Sequence, residues 1–238
     1  MATVVGESGA WRAVAANLRL CGLEVHQFND IKPLWARFRA EYQPNVDRKR
    51  SEIAQSVAAK ESQIASFRAE QGVWRSLVNW FRIKGCEIAI ARLHSGERRY
   101  VDMMAANLQR IESLLVSGEM AGARAELDVI AHLGHLPANY TVWNDVRLTA
   151  NRHIHFNGAA LQSAQIDHLV LSPAGVFVIE TKRWSTHFAE FGQYHDPFDQ
   201  IQRSAYLCYD QLRRSFGNIR VRSVIACAGK LLFAPQAH

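Results

Sequence analysis

The sequence predicts an α/β chain of the α+β kind, in which an all-α helical hairpin precedes a mixed β-sheet flanked by helices. Three observations predict it. Apolar residues recur at three-four spacing along two long stretches before residue 117, the period of a helix face packed on a partner. Beyond residue 118 the patterns follow the order helix, three strands, helix, strand, which is how a sheet covered by helices is built. Two of the strands are joined by Ser172-Pro-Ala-Gly175, the punctuation of a tight hairpin turn.

Taken in order, residues 7–23 read as a short amphipathic helix with Trp11, Val14, Leu18 and Cys21 or Leu23 on one face. The preceding Gly6-Glu-Ser-Gly9 lacks the Gly-Lys-Ser/Thr of a phosphate-cradling loop and is assigned no function. Leu34, Phe38 and Tyr42 mark another helical face, which Pro44 is expected to stop. The first long stripe then runs through Ile53, Val57, Lys60, Ile64, Phe67, Gln71, Trp74, Val78 and Phe81. The second runs through Ile90, Leu93, Glu97, Tyr100, Met104, Asn107, Ile111 and Leu114, with the break expected at Arg82-Ile-Lys-Gly-Cys86. Together they predict an antiparallel hairpin or short coiled coil, whose polar members Lys60, Gln71, Glu97 and Asn107 weaken the seam and suit a role in register. The aromatic-rich stretch Val73 to Phe81 is expected to pack on the second helix or on the first sixty residues rather than to form a membrane or partner patch.

Gly118-Glu-Met-Ala-Gly122 marks a change of pattern, so the domains are expected at 1–117 and 118–238. Ala123 to Leu136 reads as a helix, Tyr140 to Leu148 as a strand and Asn151 to Ser163 as a polar connection. After the hairpin come a helix from about Asp199 to Phe216, a strand from Arg220 to Cys227 and a last edge strand from Lys230 to Pro235.

Composition bounds the function classes. Hydrophobic residues make up 48% and charged residues 21%, so disorder is not expected. No apolar run approaches the ~20 residues that span a bilayer, and the N-terminus lacks the basic and apolar regions of a signal peptide. The four cysteines are scattered without metal-ligand spacing, which argues against zinc and disulfide frameworks. A cytoplasmic protein without membrane insertion is the expectation. The net charge is +6, and the excess sits in residues 1–117, with 17 Lys and Arg against 12 Asp and Glu. That bias suits contact with an anionic polymer.

A symmetric turn about Pro173 and Ala174 places Asp167 across from Glu180. Opposed like charges destabilise a sheet unless something positive lies between them, and a divalent cation meets that need. Alternation puts Glu180 and Lys182 on one face, with Leu169, Val178, Leu171 and Val176 nearer the turn, while Val170, Phe177 and Ile179 fill the other. His168 alternates away from Asp167 and reads as a packed core histidine; His132, His135, His153 and His155 read as surface residues.

This Asp followed by Glu-x-Lys on adjacent strands resembles the PD-(D/E)XK nuclease superfamily. The longer string resembles its NERD (nuclease-related domain) branch: Asp167-His168, the Pro-Ala-Gly turn, Phe177-Val-Ile-Glu-Thr-Lys-Arg-Trp184 and the later Asp196-Pro-Phe-x-Gln200. Gly122-Ala-Arg-Ala-Glu126 is similar to the Gly-x-x-Gly-Glu with which such domains open, with Ala125 in place of the second glycine. The resemblance implies a PD-(D/E)XK-like core and a metal-dependent nuclease acting on DNA, in a setting of defence against, or processing of, foreign DNA. It adds Glu126 and Gln200 to the catalytic set of Asp167, Glu180 and Lys182, Glu126 as a ligand to a second ion or through water.

Phosphodiester hydrolysis needs an activated water and a stabilised anionic transition state, and a hard divalent ion with oxygen ligands supplies both. Asp167, Glu180 and the backbone carbonyl of Thr181 are the expected ligands, Mg²⁺ the expected ion and Mn²⁺ its substitute. Lys182 is expected to orient the water and offset phosphate charge rather than act as base. Trp184 and Tyr194 flank the site, as stacking or as packing residues. The helical arm is expected to grip DNA, to pair with a second copy as a homodimer, or both. The competing readings are a non-catalytic nucleic-acid-binding module on the same fold and a coiled-coil interaction protein.

Overall fold

The structure, a computed structural model, describes residues 1–70, 73–183 and 197–228, with residues 73–75 as backbone alone. Two units result: Met1–Asn17 together with Leu114–His238, and Leu18–Ser113. The single cut expected at 117/118 therefore misplaces the first residues. They join the sheet-bearing unit because Thr3–Val5 forms an unexpected strand, β1, paired in parallel with β2 (Thr141–Thr149). The helix α1 (Gly9–Leu20) follows, with Trp11, Val14 and Leu18 all buried as its amphipathic pattern requires.

In the helical unit a 3-10 turn at Phe28–Asp30 leads into α2 (Ile31–Ala69), and α3 (Val73–Leu115) follows. Their contacts run in opposite directions: Arg50 with Glu97 at 3.6 Å, Gln63 with Cys86 at 3.8 Å, Phe67 with Asn79 at 2.9 Å. The pair is thus antiparallel, as the two stripes predicted, and the bridging by Glu97 fits a role in register.

Three expectations are corrected here. Pro44 does not stop α2 but lies inside it. A proline in a helix interior costs about 3 kcal/mol, which burial of Val46, Ile53 and Ile64 beyond it offsets. The break falls not at residues 82–86 but after Ala69, where Glu70 leaves the helix with ψ 125°. Gly85 stays inside α3, since an interior glycine costs only about 1 kcal/mol. Finally, Leu77, Val78, Trp80 and Phe81 are 49–63% exposed instead of packed. Buried Asn79 takes the α2-facing position, donating to the Phe67 carbonyl, and residues one or two places away on a helix point elsewhere. The Trp74 side chain is not described, and the expected edge strand at Lys230 to Pro235 lies outside the described residues.

In the sheet-bearing unit, Ser117 caps α4 (Gly118–Gly134) by accepting the Met120 N–H. After β2 the connection carries a two-stranded ribbon, β3 (His155–Phe156) and β4 (Ala159–Ala160), before β5 (Ser163–Ser172), β6 (Gly175–Lys182), α5 (Pro197–Phe216) and β7 (Val221–Cys227). The sheet order is β1-β2-β5-β6-β7, antiparallel at β2–β5 and β5–β6 and parallel at its two edges. This mixed five-stranded sheet, flanked by helices and preceded by long ones, is the expected α/β fold. On one face Leu133 of α4 and Leu136 just beyond it pack near Val142, Val170 and Ile179. On the other, Ile201, Ala205 and Cys208 of α5 cover Ile166, Val176 and Val178.

The hairpin closes in the expected register, pairing Ser172 with Gly175 and His168 with Ile179. Gly175 has φ +119°, and a Cβ there would lie 2.5 Å from the Arg220 carbonyl, so only glycine fits. One feature departs from strict alternation. Ile166 and Val146 face α5, yet His168 and Asn144, two residues away, face the α4 side through Thr181 and Gly6. Both strands change face together at Asp145, which has φ 51°, and Asp167, without a slip in their register. Aspartate tolerates this left-handed conformation better than most residues. The β5–β6 ladder accordingly ends at His168, one step before the expected Asp167–Glu180 pair.

Candidate active site

Asp167 sits where β5 changes face, and its Oδ2 accepts the Thr181 N–H at 2.7 Å. Glu180 and Lys182 project from β6 on one side, as alternation predicted, with Lys182 Nζ donating to Glu180 Oε1 at 2.7 Å. Gln200, in the first turn of α5, closes a triangle: its Nε2 donates to Glu180 Oε1 at 2.7 Å and its Oε1 accepts from Lys182 Nζ at 3.0 Å. Glu180 is 4% exposed, so this polar corner is shielded from water and each hydrogen bond carries more weight than it would at a surface.

Glu126 enters from α4. Its Oε2 accepts from Ser8 Oγ at 2.7 Å and from the Ala10 N–H at 3.3 Å. Its charge reaches Asp167, whose carboxyl is raised from 3.8 to about 7. Burial is the main cause, then the negative charge of Glu180, with Glu126 adding to it; the Thr181 N–H and Lys182 oppose the rise. Hydrogen bonds thus join Glu180, Lys182 and Gln200, and the charges of Glu180, Glu126 and Lys182 all bear on Asp167. Trp184 and Tyr194 lie outside the described residues.

Beneath the site, His168 is 0% exposed, and burial lowers its pKa to about 4, so the ring is neutral. Its Nδ1–H donates to Asn144 Oδ1 at 2.8 Å, and its Nε2 accepts from the Thr181 hydroxyl at 3.0 Å. Asn144 in turn donates to the Gly6 carbonyl at 3.2 Å. His168 is the core histidine that alternation implied, but its place in this chain of bonds and the contact of Ser8 with Glu126 were not legible in the sequence. A serine three residues before the Trp11 N–H does signal a helix cap; nothing local points from it to residue 126.

The donor set can be tested against a hard cation. Each carboxylate gives one oxygen to an orienting donor, and Asp167 Oδ1, Glu180 Oε2 and Glu126 Oε1 have no hydrogen-bond partner among the described residues. Oxygen donors of this kind suit Mg²⁺ or Mn²⁺. No three His, Cys, Asp or Glu side chains among the described residues are grouped so as to enclose an ion by themselves. Remaining positions would fall to backbone carbonyl and water, several of which Mg²⁺ ordinarily keeps. Beside Gln200 a groove of about 450 Å³ opens between the start of β5 and the first turns of α5, lined by Ser163, Gln165, Asp199, Arg203 and Ser204.

Residues 121–228 match the family model of NERD, the nuclease-related domain. Neither the curated proteins nor the solved structures yield a match. No described helix is long and apolar enough to cross a membrane.

Proposed function

We propose that this chain, whose residues 121–228 match the family model of the nuclease-related domain, is a Mg²⁺-dependent nuclease that hydrolyses phosphodiester bonds in DNA, with Mn²⁺ able to substitute. The crowding at Asp167 carries the reading. Two further carboxylates press on a buried one, with the Lys182 ammonium beside them. That leaves surplus negative charge, which a divalent ion held by Asp167, Glu180 and the Thr181 carbonyl, with Glu126 alongside, would neutralise. Such an ion, when bound, supplies an acidified water and a counter-charge for the phosphate.

The chain's own residues do the rest. Lys182 Nζ, anchored on Glu180 and Gln200, is placed to orient a water and to offset charge developing on a phosphoryl oxygen. Gln200 fixes the separation of the Glu180–Lys182 pair, because its amide bonds both. The Thr181 N–H points one oxygen of Asp167 at the backbone and leaves the other for a ligand. Arg203 in the adjoining groove offers a contact for a neighbouring phosphate. The basic bias of residues 1–117 supports a helical arm that holds DNA or a second copy of the chain. A cytoplasmic role against foreign DNA, or in its processing, fits this reading.

Supercoiled and single-stranded DNA incubated with the protein test it. Cleavage with Mg²⁺ that fails in EDTA and in Asp167→Ala and Lys182→Ala is the expected result. A second reading, a non-catalytic nucleic-acid-binding module, is favoured by one observation: Lys182 and Gln200 already satisfy Glu180 Oε1. A wild-type protein that shifts DNA in a gel but cuts nothing with Mg²⁺ or Mn²⁺ would establish that reading instead.

A further inference from the structure

We propose that the segment ahead of the matched domain is part of its metal site, with Ser8 and the first turn of α1 positioning Glu126. The inference rests on the nuclease reading and deepens it: the carboxylates of the site depend on residues more than a hundred positions away, outside 121–228.

Ser8 is 1% exposed and has one hydroxyl proton to give. Its lone pair accepts the Trp11 N–H at 2.9 Å, which leaves the proton for Glu126 Oε2 at 2.7 Å. The Ala10 N–H reaches the same oxygen at 3.3 Å, and the positive end of α1 favours an anion there. Oε2 is therefore held by two donors, and Oε1 is left as the oxygen available to a ligand. Buried hydroxyl–carboxylate bonds of this sort orient metal-ligating carboxylates and set their affinity.

The segment is itself pinned to the sheet. A Cβ on Gly9 would lie 2.7 Å from Asp145 Oδ1, so α1 approaches β2 as closely as a glycine allows. Asp145 is also paired with Arg12 and accepts from Gln165 Nε2 at 2.6 Å. Further back, the Gly6 carbonyl begins the chain through Asn144, His168 and Thr181 to Asp167. Two of the three carboxylates are thus reached from residues 6–12, Glu126 through Ser8 and Ala10 and Asp167 through the chain that starts at Gly6.

Mn²⁺ titration of the full chain, followed by the electron paramagnetic resonance of the free ion, tests the proposal. Ser8→Ala is expected to weaken Mn²⁺ binding about 10-fold, in line with the loss of an orienting partner, and Glu126→Ala to weaken it as well. The double variant should bind no more weakly than Glu126→Ala alone, because Ser8 acts through Glu126. Should Ser8→Ala lose its circular dichroism signature, Ser8→Gly serves in its place, since glycine is tolerated at helix caps. Unchanged Mn²⁺ affinity in the serine variant, even with lowered thermal stability, would mean that Glu126 merely caps α1 and would overturn the proposal. So would equal weakening in the wild-type and Glu126→Ala backgrounds. A wild-type chain that binds no Mn²⁺ would instead overturn the metal-site reading, and this inference with it.

Discussion

Replacing Asp167 by asparagine should abolish cleavage and yet make the protein more stable at alkaline pH. The rise of its carboxyl from 3.8 to about 7 means that the folded chain holds a proton there which the unfolded chain releases near pH 4. Between those values the folded state binds more protons, so stability falls as pH climbs through the window, and the cost is fully present above pH 7. At 1.36 kcal/mol per pH unit the cost is up to about 4 kcal/mol at pH 8, and it shrinks to about 1.5 kcal/mol near pH 5. Asparagine keeps an oxygen for the Thr181 N–H but never ionises. Thermal unfolding in EDTA should therefore show Asp167→Asn melting on the order of 10 °C above wild type at pH 8, with a much smaller gain at pH 5. Mg²⁺ at pH 8 should raise the melting temperature of wild type and leave that of the variant nearly unmoved, because binding to the folded state alone stabilises it. A variant no more stable than wild type at pH 8 without metal would refute the claim that buried, mutually repelling carboxylates define this site.

Other perturbations probe separate parts of the molecule. Lys182→Ala should lower the cleavage rate by about 10²-fold or more while DNA affinity in a gel shift changes little, since the group acts on developing charge. Asp210 is 1% exposed, with Arg152, Arg213 and Arg214 at 2.5, 2.9 and 3.0 Å. Burial alone would raise it, but these arginines hold it below the usual carboxylate range. Its contribution is thus present above that range and lost as pH falls. Asp210→Asn should cost about 2 kcal/mol in urea unfolding at pH 7, less than a fully buried pair because the guanidiniums are partly exposed. Gly175→Ala forces a Cβ against the Arg220 carbonyl and should cost about 2–3 kcal/mol; an unchanged melting temperature would count against the hairpin geometry.

Much of this was legible in the chain because it is local. The turn at Ser172–Gly175 sets the register of two strands, since two central residues and one glycine leave a single way to close. Period-two alternation then puts Glu180 and Lys182 together, and the three-four stripes bring α2 and α3 side by side, because each signal lies within a few residues of what it shapes. Gln200 and Glu126 entered only through resemblance to nuclease-related domains, as spacing along the chain does not say which helix ends approach a strand end.

Tertiary structure decided the rest, and for one physical reason: these outcomes balance local preference against contacts made elsewhere in the chain. Pro44 and Gly85 are local helix breakers, overridden by the long helices on either side of them. Thr3–Val5 is too short to declare itself a strand and exists because the edge of β2 offers it hydrogen bonds. The face change at Asp145 and Asp167 needs both strands to move together. The contact of Ser8 with Glu126 spans 118 positions, a distance over which no periodicity in the sequence carries information and only the folded sheet brings the partners together.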